Sequence, residues 1–134
     1  MDTQYLNNNL VWNKWIGISI KNLMNTSISI NGISKSNISK FTAKEGDRIT
    51  IYTFSRNEST TNEGLASKIY YNNVLVKESS LCPVASSSGG AGLVSLTYEF
   101  NLKNDISIVV ESKKYPDSSP YTFGQDIYIT DYLD

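Results

Sequence analysis

The chain contains no histidine, a single cysteine and only three prolines among 134 residues, and each scarcity removes a class of function. Without imidazole, the commonest acid-base group and the commonest zinc ligand are both missing, and one thiol cannot complete a zinc set. Cys82 has no partner for an intramolecular disulfide and no histidine to activate it, so beside Leu81 and Pro83 it reads as a small packing residue. No apolar run approaches the roughly 20 residues a membrane-spanning helix requires. Lys and Arg are scattered, with only Lys113 and Lys114 adjacent, and the net charge is −1; a nucleic-acid footprint needs a clustered basic face, so nucleic acid is not expected as a partner. Residues 87–92 are Gly-rich but lack the Lys-Ser/Thr that follows in a phosphate-binding loop. Residues 1–9 have neither the basic nor the apolar part of a secretion signal, which leaves a cytoplasmic location, release by a route without a leader, or a leader already cut away, and decides none of them.

What the chain has instead is Asn, Ser and Thr in abundance, and four stretches in which apolar and polar residues alternate: 48–54, 95–100, 105–110 and 125–130. A two-residue period is the mark of strands buried on one face and wet on the other. Residues 10–20 read as one long or bent strand with Gly17 as a bulge. Asn31-Gly32 between apolar-polar runs predicts a type I′ hairpin turn, and Asn72-Asn73 a second one. Residues 55–64 hold no apolar member and read as a solvated loop, and 86–92 read as a flexible link. No helical periodicity and no internal repeat interrupts this series. The expectation is an all-β fold, an antiparallel two-sheet β-sandwich of jelly-roll type with about eight or nine strands, occupying 10–134 as a single domain behind a flexible N-terminal arm at 1–9.

No pair of carboxylates sits in a recognisable catalytic motif, so a non-enzymatic role is expected. A sugar presents hydroxyls to planar amides and carboxylates, and a patch of C–H groups to an aromatic ring. Two regions supply such residues: Asn57, Glu58, Asn62 and Glu63 in the first polar loop, and Tyr115, Asp117 and Tyr121 in the last. The predicted ligand is therefore a carbohydrate or glycoconjugate held by loops at one end of the sandwich. Calcium asks only for convergent oxygens, and Asp117 with Asp126 is the candidate pair. Trp12 and Trp15, three apart in a strand, would face opposite sides of the sheet.

The run Ser27-Ile-Ser-Ile-Asn-Gly32, then Glu45-Gly-Asp-Arg-Ile-Thr-Ile51, then residues 62–73, resembles the order of elements in galactose-binding-like jelly-roll domains. The resemblance covers about the first 60% of the chain and implies carbohydrate binding without fixing a ligand residue. A different class fits the same composition: a self-assembling filament or coat subunit, polymerising when its N-terminal arm adds a strand to a neighbour's sheet, so that a homo-oligomer is expected. A toxin-accessory or pore-forming domain is a third possibility, requiring an amphipathic hairpin released from the body.

Overall fold

Two turns that only Asn and Gly accommodate easily set the local register. In the computed structural model, which describes residues 4–6, 9–11, 15–35, 39–104, 106–116 and 122–132, Asn31 and Gly32 have φ of 52° and 84°, and Asn72 and Asn73 have φ of 49° and 66°. Both pairs therefore occupy the left-handed region that a I′ turn demands. They close the hairpins β4 (Thr26–Ile30) to β5 (Ile33–Lys35) and β8 (Lys68–Tyr71) to β9 (Val74–Glu78). The remaining strands are β1 (Gln4–Leu6), β2 (Asn9–Val11), β3 (Gly17–Asn22), β6 (Lys40–Thr42), β7 (Arg48–Asn57), β10 (Gly92–Asn101), β11 (Ser107–Pro116) and β12 (Thr122–Tyr132). No helix occurs among the described residues.

Hydrogen bonds link ten of these strands into a path that folds over into two layers. One layer has the order β5-β4-β7-β10, and the other β9-β8-β12-β11-β3-β6. They join at one corner, where Thr122 and Phe123 at the start of β12 pair with Asn57 and Arg56 at the end of β7. Pairing is mostly antiparallel, but β11 runs parallel to β3 and β12 parallel to β8. Alternation within a strand carries no information about neighbour direction, which is why these two pairings depart from the all-antiparallel expectation. β1 and β2 pair with each other, Gln4 opposite Val11, and with no other strand among the described residues. The arm expected at 1–9 thus contributes β1 and the first residue of β2.

The two layers share one apolar core. Ile28, Ile30, Ile49, Ile51 and Leu96 enter from the four-stranded layer; Ile18, Ile69, Ile108, Val110, Ile127 and Ile129 enter from the six-stranded one. Toward the corner the interior turns polar. Thr53, Ser55 and Asn57 continue the inward rhythm of β7 and are fully buried, as are Ser67, Ser112 and Gln125. The hydroxyls of Ser55 and Ser67 lie 2.6 Å apart, and Ser112 Oγ lies 3.1 Å from Gln125 Oε1 and donates to the Met24 carbonyl at 2.9 Å. β7 therefore runs three residues past the strand expected from its apolar members, because hydrogen-bonded polar groups occupy its last inward positions.

Two further details differ from expectation, and a third, the packing role of Cys82, agrees with it. Gly17 is a point of close approach and not a bulge: a β-carbon there would run into the Phe41 carbonyl and the Trp15 ring. The Gly-rich segment holds a defined turn, with the Ser86 amide donating to the Gly90 carbonyl at 2.7 Å. Cys82 is enclosed, its thiol within 3.3 Å of the Gly92 carbonyl, and burial pushes its pKa up.

Asp47 ties the two turns at the base of β7 together. One carboxylate oxygen accepts the Lys44 amide at 2.9 Å and the other accepts Asn31 Nδ2 at 3.0 Å. These bonds, the Lys44 amide first, hold the Asp47 carboxyl below its ordinary 3.8. A group with a lowered native pKa stabilises the fold above its unfolded pKa, and that contribution disappears as pH falls through the native value. Asp47→Ala is accordingly expected to lower the denaturation midpoint at neutral pH, with the gap to wild type closing as pH falls below 3.8. Denaturant titrations across that range check the sign.

Candidate functional site

The register brings the described ends of both predicted loop regions to the corner. Asn57 closes β7 opposite Thr122, and Tyr115 on β11 lies opposite Gly124. The residues themselves divide. The Asn57 side chain is fully enclosed: its Nδ2 donates to the carbonyls of Asn62 at 2.8 Å and Pro83 at 3.0 Å, and its Oδ1 accepts the Ser59 amide at 2.9 Å. It staples the loop and presents nothing to solvent. Glu58 is exposed and ion-paired with Arg56 at 3.0 Å; Asn62 and Glu63 are exposed. Asp117, Tyr121 and the Tyr115 side chain lie outside the described residues, as does Trp12.

Asp126 stands on the outer face of the six-stranded layer in a row running Glu78, Lys68, Asp126, Lys113 across four strands. With Leu65 and Leu81 the first three line a cleft of about 400 Å³. Desolvation raises the Asp126 carboxyl, while Lys68 and a hydrogen bond from Tyr128 oppose the rise. Among the described residues, no three His, Cys, Asp or Glu side chains converge as a metal site would need. Glu58 lines a separate cleft of about 220 Å³ with Arg56, Thr60 and the 85–91 turn, so Glu58 and Asp126 do not share a site.

A sugar-binding surface needs an aromatic face open to ligand, and most rings on the outer faces are already engaged. Tyr70 and Tyr128 stack on each other, centroids 4.9 Å apart and 7° from parallel, and Lys113 Nζ lies 4.8 Å from the Tyr128 centroid. Trp15 lies against Gly17, with Lys40 Nζ 4.1 Å from the ring centroid. These are cross-strand ladders that brace the sheet.

Tyr52 is exposed on the outer face of β7, and a concave aromatic surface lies where the two layers fail to close. β9 and β10 are edge strands that face each other without backbone pairing; their one polar tie among the described residues is Lys77 Nζ donating to the Thr97 carbonyl at 2.6 Å. Below that tie the seam opens into a cleft of about 320 Å³ lined by Tyr71, Val76, Tyr98, Phe100, Asn101 and Lys103. Tyr98 and Phe100 occupy consecutive inward positions of β10, opposite Ile51 and Ile49, with ring centroids 5.6 Å apart and 30° between planes. Tyr71 meets Phe100 edge-on at 5.7 Å and donates its hydroxyl to Asp131 at 2.7 Å. Burial first, then Asp131, pushes the Tyr71 phenol far above its ordinary value, so it stays protonated and donating. Asp131 is further held by Asn72 Nδ2 at 3.0 Å. All three rings are half-buried, and Asn101 and Lys103 are exposed at the rim.

This cleft combines two or more aromatic rings, a planar amide and an ammonium in one concavity. The alternation at 95–100 marks Tyr98 and Phe100 as inward residues; they pack against the border of the core, and because β10 is an edge they also line the cleft. Comparison with protein-family models, with curated proteins and with solved structures finds no match to the chain.

Proposed function

We propose that the chain is a non-enzymatic carbohydrate-binding module that takes a sugar ring into the seam between β9 and β10. The observation that carries this reading is the group of three rings, Tyr71, Tyr98 and Phe100, lining a concave cleft rimmed by the Asn101 amide. A pyranose would lay its C–H face on Tyr98 or Phe100 and turn its hydroxyls to Asn101 and to the free backbone groups of the two strand edges. The described lining residues are aromatic, apolar, amide and ammonium groups, which suits holding and orienting a ligand. The resemblance to galactose-binding-like jelly rolls belongs to the same proposal, with the site moved from the end loops to the seam.

A glycan array followed by calorimetric titration of the hits tests it. Tyr98→Ala is expected to weaken binding about tenfold, the equivalent of roughly 1.4 kcal/mol. Binding that survives Tyr98→Ala and is lost on Glu58→Ala and Glu63→Ala together would move the site back to the corner loops.

Self-assembly is the second reading, favoured by a β1-β2 pair joined to no other strand among the described residues and by the open edge at β9, where Val74, Leu75 and Val76 are all exposed. The same edge carries two devices that discourage strand addition. Its register shifts at Val76, and its inward-pointing Lys77 reaches across to β10. Light scattering of the full chain against a form lacking residues 1–9 separates assembly from binding: assemblies that vanish on deletion support the subunit reading.

A further inference from the structure

Resting on the sugar-binding reading of the seam, we propose that its preferred ligand is an acidic sugar whose carboxylate is met by Lys103. Among the described residues lining the cleft, Lys103 is the charged one. Lys77 adds a second ammonium at the upper end, where it holds the Thr97 carbonyl. The nearby acids are already committed. Both oxygens of Asp131 accept hydrogen bonds, from the Tyr71 hydroxyl and the Asn72 amide. Glu99 stands at an alternate, outward position of β10, ion-paired with Arg48 at 3.0 Å. Neutral donors orient Asp131 without removing its charge, so the attraction for an anion rests on Lys103, the charged residue that lines the cleft itself. Aromatic rings supply stacking to any pyranose, so the ammonium is what discriminates among them.

Uronic acids make the comparison clean, because glucuronic acid differs from glucose, and galacturonic acid from galactose, by a carboxylate in place of a hydroxymethyl group. Titration of the full chain is expected to show the acid of at least one pair binding about five- to tenfold tighter, with the advantage shrinking as salt is raised. Lys103→Met, which keeps an apolar stem of similar length, should collapse the ratio toward one. Lys113→Met, on the outer face of the other layer, should leave it intact. Equal or weaker binding of the acids, or a ratio unmoved by Lys103→Met, overturns the acidic-sugar assignment while leaving the cleft as a site for neutral sugars. Failure of all four sugars and of the array to bind removes the underlying reading as well.

Discussion

Asn57→Asp is expected to destabilise the fold by about 3–5 kcal/mol at neutral pH, among the largest effects any one-atom exchange can have in this chain. The amide donates two hydrogens to the carbonyls of Asn62 and Pro83, and the site is sealed from water. A carboxylate there would set a negative charge against two carbonyl oxygens with no hydrogen to offer either. Protonation relieves the conflict by restoring a donor, so the variant's carboxyl has its native pKa raised. A raised carboxyl pKa means that the penalty is small below the unfolded value of about 3.9 and grows as pH rises through and beyond it. Asn57→Ala removes the same bonds without adding charge and should cost about 2–3 kcal/mol. Denaturant titrations of the three proteins at acidic and neutral pH measure both the order and its pH dependence. A residue that bound ligand through an exposed amide would instead leave stability unchanged.

Ile127→Ala should cost about 3–4 kcal/mol, lowering the thermal midpoint by roughly 10 °C for a chain of this size. Ile127 is fully buried at the middle of β12, opposite Ile69 on β8 and Ser112 on β11, and faces the isoleucines of the other layer. No side chain near it can refill the space without leaving its own place. Thr130, three residues along and on the exposed face, provides the contrast: Thr130→Ala should change stability by less than about 0.5 kcal/mol. Calorimetry on the pair tests the two-layer arrangement, because a one-residue slip of β12 would reverse which variant hurts.

The strands and turns were legible in the sequence where backbone geometry or burial leaves a chemical trace. Asn31-Gly32 and Asn72-Asn73 announce their hairpins because few residues accept φ above zero, and Ile49, Ile51, Ile127 and Ile129 announce inward faces because water excludes them. Polar interiors leave a fainter trace. Ser55 and Asn57 look like loop residues until their hydrogen bonds are seen, and the same features that suggest a ligand-binding amide at Asn57 suit a loop staple equally well. Strand order leaves none at all. The parallel contacts of β8 with β12 and β3 with β11 join segments far apart in the chain, and no local pattern encodes which strand ends at an edge.

That last gap explains the move of the candidate site. Tyr98 and Phe100 occupy inward positions and pack against the border of the core; the missing neighbour of β10 is what also makes them the wall of a cleft. The strand ends that flank the corner loops do meet, through the pairings of Asn57 with Thr122 and Tyr115 with Gly124, while Glu58 and Asp126 line two different clefts. Topology decides which rings are left at an edge.

The most direct test of the seam as a sugar site is a chemical-shift titration of isotope-labelled protein with the best array hit. The account predicts saturable shifts centred on Tyr71, Val76, Tyr98, Phe100 and Asn101. Shifts confined to residues 58–63 and Asp126, with the seam unmoved, would contradict it.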